Sequence, residues 1–179
     1  MYILTCLFTS LIIVGSFIKI PMFPISITLQ TLFVFLSALL LPLKNSLLAI
    51  LMYTILGLIG LPIFTSGGGI SAVFSPSFGF IIGFIFATLC GSLLAKRRHD
   101  SFIYNLFVVS VMEIIIYAFG LVFLTLRLDT TIYKALTVGF FPFIIGDLIK
   151  IVVGASSSIK IYPELLKYEE RIKERDNFI

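Results

Sequence analysis

Charged residues are scarce in this sequence, at 12% of its 179 residues, whereas hydrophobic residues make up 59% and the mean hydropathy is +1.16. Soluble domains carry roughly 25% charged residues, so a water-soluble fold is excluded. The apolar residues form continuous runs close to the roughly 20 residues that a membrane-spanning helix needs. They do not alternate with polar residues as the strands of a membrane barrel do. The sequence therefore predicts an all-α membrane protein.

Residues typical of catalytic and metal sites are also few. The sequence has one histidine, His99, and two cysteines, Cys6 and Cys90, both within apolar runs, and a zinc site needs several ligands at suitable spacing. It contains no G-x-x-x-x-G-K-[ST] loop for nucleotide phosphates,. An aspartyl intramembrane protease needs two facing aspartates, and Asp147 is alone in the apolar runs. We therefore predict no enzyme, no metal and no other cofactor.

Six apolar runs are long enough, or nearly so, to cross a bilayer. They extend over residues 3–18, 25–43, 46–64, 78–95, 102–126 and 136–155. Because the connections between them are short, we predict a compact bundle of six transmembrane helices forming a single domain over residues 1–179. A short charged tail begins at about residue 161. Its acidic and basic residues balance, so a nucleic-acid partner is not predicted.

Basic residues are distributed unevenly among the predicted loops. Lys44 and the cluster at 96–98 follow the second and fourth runs, on the side that six spans would give to both termini. The opposite side carries only Lys19, Arg127 and Lys134. Lysine and arginine are enriched in cytoplasmic loops, so both termini are predicted to be cytoplasmic.

The last apolar run contains two charged residues, Asp147 and Lys150, in the middle of FIIGDLIKIV. Three residues apart, they share one helix face and can pair. They can form a structural ion pair inside the bundle, or they can line a pocket, as intramembrane charges often do. An anionic acceptor beside a cationic donor suits a ligand with N–H donors and a carbonyl or carboxylate.

Other polar residues occur in or near the runs, namely Gln30, Tyr53, Glu113 and Tyr117. Glu113 has no cation three or four residues further on, and a helix-packing hydrogen bond is its simpler interpretation. Tyr117 lies one turn later on the same face and offers an aromatic ring together with a hydroxyl group.

The stretch FTSGGGISAVFSPS lies between the third and fourth runs and carries no charge. Its three consecutive glycines are compatible with an exposed, flexible turn. Its apolar residues instead favour a lid that folds back over the bundle, with the glycines as hinges. In that case the backbone around Ser66, Gly67 and Gly68 would supply hydrogen-bond donors to a ligand.

Four stretches in order resemble the BioY family of substrate-binding subunits of biotin transporters: IPMFPISITLQTLFVFLSALLL, LMYTILGLIGLPIFTSGGG, IIYAFGLVFL and ALTVGFFPFIIGDLIK. They cover most of residues 20–150. The resemblance implies an S component of an energy-coupling factor (ECF) transporter in a prokaryotic cell membrane. Such a subunit has six helices, captures biotin from outside and works with a transmembrane T component and two ATPases. The family's tyrosine after the glycine loop is replaced by Phe80.

The resemblance also implies roles for individual residues. The family's G-D-x-x-K motif corresponds to Asp147 and Lys150, and its T-L-Q-T motif places Gln30 at the vitamin. We expect Asp147 to accept a ureido N–H of biotin, and Lys150 to donate to the ureido carbonyl or to the carboxylate. Tyr117 and the segment from Ser66 to Gly68 complete the expected site. The alternative is a structural or assembly protein in which the Asp–Lys pair only fixes helix packing.

Overall fold

The computed structural model describes residues 1–95 and 101–176, so the basic cluster at 96–98 and His99 lie outside the described residues. Within those ranges the chain is mostly helical. It has two short strands, a 3-10 helix and seven α-helices. The helices are α1 (Tyr2–Phe17), α2 (Gln30–Leu40), α3 (Leu43–Leu58), α4 (Phe78–Ala95), α5 (Phe102–Arg127), α6 (Ile132–Gly139) and α7 (Ile144–Asp176).

Helices α4 and α5, of 18 and 26 residues, are long and apolar enough to cross a membrane. Helices α6 and α7 meet that condition only as a pair, which is bent by 62° at a short break. Helices α1, α2 and α3 are apolar but shorter, with 16, 11 and 16 residues. Two helices of the described residues therefore qualify as spans, or three with the bent pair.

The prediction of a helix over residues 25–43 is wrong at its N-terminal end. Strands β1 (Lys19–Ile20) and β2 (Ile27–Thr28) form an antiparallel pair in this region, and α2 begins only at Gln30. The prolines at positions 21 and 24 lack a backbone N–H and disfavour helical conformation in the residue before them,. The hairpin places Gln30 in the first turn of α2, at one end of the bundle.

The predicted continuous run 136–155 is also wrong, because the chain breaks between Gly139 and Ile144. Pro142 lies in the break, where it cannot donate a helical hydrogen bond,. Asp147 is therefore in the first turn of α7 rather than in the middle of a helix. Its carboxylate lies near the positive end of the helix dipole, a position that stabilises an anion.

Helices α4 and α5 pack closely because α4 presents glycines to α5. A Cβ atom on Gly83 would lie 2.9 Å from the Ile116 Cα, and one on Gly91 would overlap the Met112 side chain. Small residues allow helices in a membrane to approach to backbone contact. The close packing fixes the α5 face that carries Glu113 and Tyr117 against the rest of the core.

Candidate ligand-binding site

A small cavity of about 60 Å³ lies inside the bundle, where the hairpin, α2, α3, α4, α5 and α7 converge. Four of the predicted site residues line it: Gln30, Tyr117, Asp147 and Lys150. Lys150 comes one turn after Asp147 on α7, while Gln30 and Tyr117 come from α2 and α5. The fold thus brings together residues from three helices that the sequence placed far apart.

The Asp147–Lys150 ion pair is buried within this cavity. The Lys150 Nζ atom is 2.7 Å from Asp147 Oδ1, and the two side chains are only 8% and 9% exposed. The Tyr117 hydroxyl donates a hydrogen bond to the other carboxylate oxygen, Oδ2. The Tyr117 ring is held edge-on between Phe80 and Phe140, with centroids 6.1 and 4.8 Å away. The carboxylate is therefore held by a cation and by a hydroxyl whose own ring packs between two other aromatic rings.

Four buried polar atoms that line the same cavity have no hydrogen-bond partner among the described residues. They are Gln30 Nε2, Thr31 Oγ1, Tyr53 Oη and Glu113 Oε2. Most buried polar groups in native proteins are hydrogen-bonded, because an unpaired group costs free energy. Such atoms concentrated around one cavity suit a ligand that carries both donors and acceptors.

The remaining predicted residues, Ser66, Gly67 and Gly68, lie in the loop between α3 and α4 and are not part of the lining, although the adjacent Thr65 is. In this loop Phe64 and Gly67 exchange backbone hydrogen bonds of 2.9 and 3.0 Å. A Cβ atom on Gly68 would overlap the carbonyl of Leu61. The direct contacts of these three residues with a ligand stay a prediction.

The loop is fastened to the bundle by two cations. The Lys19 ammonium donates to the Thr65 carbonyl at 3.1 Å, and the Arg127 guanidinium donates to the Val73 carbonyl at 3.3 Å. The Arg127 guanidinium also lies over the rings of Phe74 and Phe123, at 5.1 and 4.9 Å from their centroids. These contacts hold the loop closed over the end of the cavity that Thr65 and Ser77 line.

A second, apolar groove of about 400 Å³ lies between α5, α6 and α7. It shares Glu113, Tyr117 and Asp147 with the polar cavity. Its rim includes Ile114 and Leu148, which are exposed on the outer surface of the bundle. The three shared side chains therefore form the wall between the polar cavity and the apolar outside.

Glu113, Thr31 and Tyr53 belong to the cavity although they were not among the predicted site residues. Glu113 and Tyr53 had one visible signal, a polar group in an apolar run. Glu113 lies close to both Asp147 and Lys150. Its own helix has no cation three or four residues further on, and the nearby cation Lys150 comes from α7 instead. Thr31 had no signal beyond its position next to Gln30.

Comparison with known proteins places the chain in a family. The family model described as the BioY family matches residues 1–167. A protein of Thermotoga maritima named "Biotin transporter BioY" is 41% identical over 156 residues, which cover 87% of this chain and 91% of that protein. A Lysinibacillus sphaericus protein named "Probable biotin transporter BioY" is 34% identical over 167 residues, covering 89% and 85%.

A solved structure is similar as well. The S-component for biotin from an ECF-type ABC transporter superposes with a TM-score of 0.80 at 25% identity, and the match covers 88% of each chain. The relatives are named as transporters and not as enzymes, and the apolar helices make this chain a multi-pass membrane protein. The resemblance that the motifs suggested is confirmed. The chain belongs to the BioY family.

Proposed function

We propose that this chain is the biotin-binding S component of an ECF transporter, which captures the vitamin on the outer side of a prokaryotic cell membrane. The similarity to named biotin transporters and to a biotin S component supports the proposal. One observation carries it: a buried ion pair and four unpartnered polar atoms surround one cavity in an otherwise apolar bundle.

The chemistry of biotin matches this lining. Its ureido group has two N–H donors and one carbonyl acceptor, and its side chain ends in a carboxylate. Asp147 supplies a charged acceptor and Lys150 a charged donor, so each can bind the ureido group without leaving its partner. The rings of Phe80, Tyr117 and Phe143 supply apolar surface for the thioether ring. Hydrogen bonds to charged groups contribute about 1.5–3 kcal/mol each.

The membrane arrangement that we propose has six passes in a single domain. Helices α1 to α5 supply five of them, and the bent α6–α7 pair supplies the sixth. An even number of passes leaves both termini on one side, and the basic residues favour the cytoplasm for that side. The charged tail from about residue 161 is the C-terminal part of α7, in the described residues up to Asp176.

Transport against a gradient needs an energy source that this chain does not encode, because it contains no phosphate-binding loop. The energy must then come from partner subunits, so we propose that the chain delivers biotin in association with a transmembrane T component and two ATPases. Separately, the described residues hold no group of three or more His, Cys, Asp or Glu side chains for a metal ion.

Titration of the purified chain with biotin in detergent is the direct test. We expect a stoichiometry of one and a Kd of about 1 μM or tighter. Two charge-assisted hydrogen bonds contribute about 3–6 of the roughly 8 kcal/mol that this Kd requires, and burial of the apolar ring surface adds to them. Calorimetry measures both quantities. Absence of heat and of any rise in unfolding temperature at millimolar biotin would favour the alternative of a structural membrane protein.

Binding of biotin requires the site to open. The cavity of about 60 Å³ is far below the roughly 300 Å³ at which ligand pockets begin. The loop between α3 and α4 is the segment we propose to move, since Thr65 and Ser77 close the cavity and its glycines Gly60, Gly67 and Gly69 have positive φ angles of 120°, 109° and 88°. This loop would act as a lid.

Replacing Arg127 with alanine is expected to accelerate biotin release roughly two- to fivefold, because the change removes an exposed cation that stacks on the rings of Phe74 and Phe123 and holds the loop,. Stopped-flow displacement of a fluorescent biotin conjugate measures the rate. Lys134→Ala removes an equal charge from an exposed site that has no side-chain hydrogen bond or ion pair among the described residues. Equal release rates for both variants would contradict a role for Arg127 in closure.

A further inference from the structure

Glu113 is a buried acid to which the binding mode described above assigns no contact with biotin. It lies on α5, is 7% exposed and lines the polar cavity. Its Oε2 atom has no hydrogen-bond partner in the described part of the chain. The carboxyl group does interact with Asp147 on α7 through a side-chain hydrogen bond, but an oxygen buried without a partner is costly, so helix packing alone does not explain this side chain.

The position of Glu113 distinguishes it from the other unpartnered groups. Glu113 lines the polar cavity together with Asp147 and Lys150, and it meets Asp147 again along the apolar groove, where its carboxyl group interacts with both charges. Gln30 and Tyr53 neighbour one another on α2 and α3. A group next to the ion pair is within reach of a small ligand moiety that the ion pair holds.

A cyclic urea such as the ureido group of biotin needs one more hydrogen-bond acceptor from the protein than the proposed binding mode supplies. The ureido carbonyl lies between two N–H groups, so complete recognition needs one donor flanked by two acceptors. Lys150 can supply the donor and Asp147 one acceptor. Tyr117 already donates its hydroxyl hydrogen to Asp147. The second N–H has no acceptor in this set.

We propose that Glu113 accepts a hydrogen bond from the second ureido N–H of bound biotin, opposite the N–H that Asp147 accepts, while Lys150 donates to the carbonyl between them. This assignment rests on the proposed function, because it specifies how the same cavity recognises the same vitamin. It makes Glu113 a ligand-contacting residue that selects for a urea with both N–H groups intact.

The test combines Glu113→Leu with two lactam analogues of biotin, each of which has a methylene in place of one ureido N–H. For biotin, we expect the variant to bind about tenfold or more weakly than the wild type. For the analogue that lacks the N–H held by Glu113, both proteins should bind with affinities within about twofold, because the lost contact is absent already. For the other analogue, which keeps the N–H held by Glu113, the variant should again bind more weakly than the wild type.

One control and one substitute variant accompany this comparison. Ser110→Ala alters α5 one turn away, at a side chain that lines the apolar groove and donates to Leu106, and it should leave every affinity unchanged. Where Glu113→Leu does not fold, Glu113→Gln keeps the side-chain shape with a weaker acceptor. We then expect a smaller loss of about threefold with the same dependence on the analogue.

The outcomes separate the assignment from the proposed function. If the wild type does not bind biotin, both fail. If the wild type binds biotin and the folded variant binds it equally well, only the role of Glu113 is overturned. The same holds if the variant loses equal affinity for biotin and for both analogues, since that pattern indicates a general disturbance of the site.

Discussion

Replacing Asp147 with asparagine is expected to weaken biotin binding by about tenfold or more, because it exchanges a charge-assisted hydrogen bond worth about 1.5–3 kcal/mol for a neutral one worth about 0.5–1.5 kcal/mol. The variant keeps the side-chain shape, and the Tyr117 hydroxyl can still donate to the remaining amide oxygen. Lys150, however, loses the counter-ion that lies 2.7 Å from its ammonium. Titration calorimetry on the purified variant measures the change.

A matched control exists elsewhere on the same helix. Glu164 and Lys167 have the same spacing and a similar separation of 2.8 Å, but their side chains are 68% and 57% exposed. Glu164→Gln therefore removes one carboxylate of an ion pair that water screens, and exposed pairs contribute little. We expect biotin affinity to be unchanged. An Asp147→Asn variant that is folded and binds biotin like this control would exclude Asp147 from the site.

Tyr117→Phe should have an intermediate effect. It removes the hydroxyl that donates to Asp147 Oδ2 but keeps the charge, the ion pair and the ring contacts with Phe80 and Phe140. The loss expected for a hydrogen bond that only orients the carboxylate is about 0.5–1.5 kcal/mol, roughly two- to tenfold in affinity. A loss as large as that of Asp147→Asn would instead indicate that the hydroxyl itself contacts the vitamin.

The long apolar helices could be predicted from local sequence, and so could the ion pair. Helix α4 begins and ends at the predicted residues, and α5 extends one residue beyond its predicted end. Both have continuous apolar runs with clear limits. The contact between Asp147 and Lys150 follows from their spacing on one helix, which is a local property.

The break before α7 was missed although Pro142 gave a signal for it. Membrane helices tolerate proline when neighbouring groups satisfy the freed backbone, so the residue alone did not require a break. The break matters for function because it puts Asp147 into a first helical turn that faces the cavity. The same carboxylate in mid-helix would lack the support of the helix dipole.

The surroundings of Glu113 could not be predicted, because they depend on contacts between helices. Nothing within one turn of Glu113 on α5 is charged, and its neighbours Asp147 and Lys150 come from α7. The approach of α5 to the core depends in turn on glycines of α4 that face α5. Hydrophobic periodicity identifies helices but does not show which helices pack against each other. The proximity of Glu113 and Asp147 to Lys150 is therefore visible only in the three-dimensional structure.

Substitutions in the Asp147–Lys150 pair can distinguish a role in ligand binding from a role in helix packing. Lys150→Met should lower the free energy of unfolding by about 3–5 kcal/mol, because it leaves the buried Asp147 carboxylate without a counter-ion. It should also abolish measurable biotin binding. This variant alone does not separate the two roles, since a protein that has lost its packing also loses its site.

The double variant Asp147→Asn, Lys150→Met separates them. Replacing both partners of a buried pair with hydrophobic groups of similar size is often neutral or stabilising. Methionine is such a group and a good helix former, and asparagine keeps an oxygen that can accept from the Tyr117 hydroxyl. We therefore expect the unfolding temperature to return close to that of the wild type, while biotin binding stays lost because the charged donor and acceptor are both gone. Thermal unfolding in detergent and calorimetry with biotin provide the two measurements. A double variant that is stable and binds biotin as tightly as the wild type would show that the pair only packs helices, and the vitamin would then have to be held by the polar groups of α2, α3 and α5.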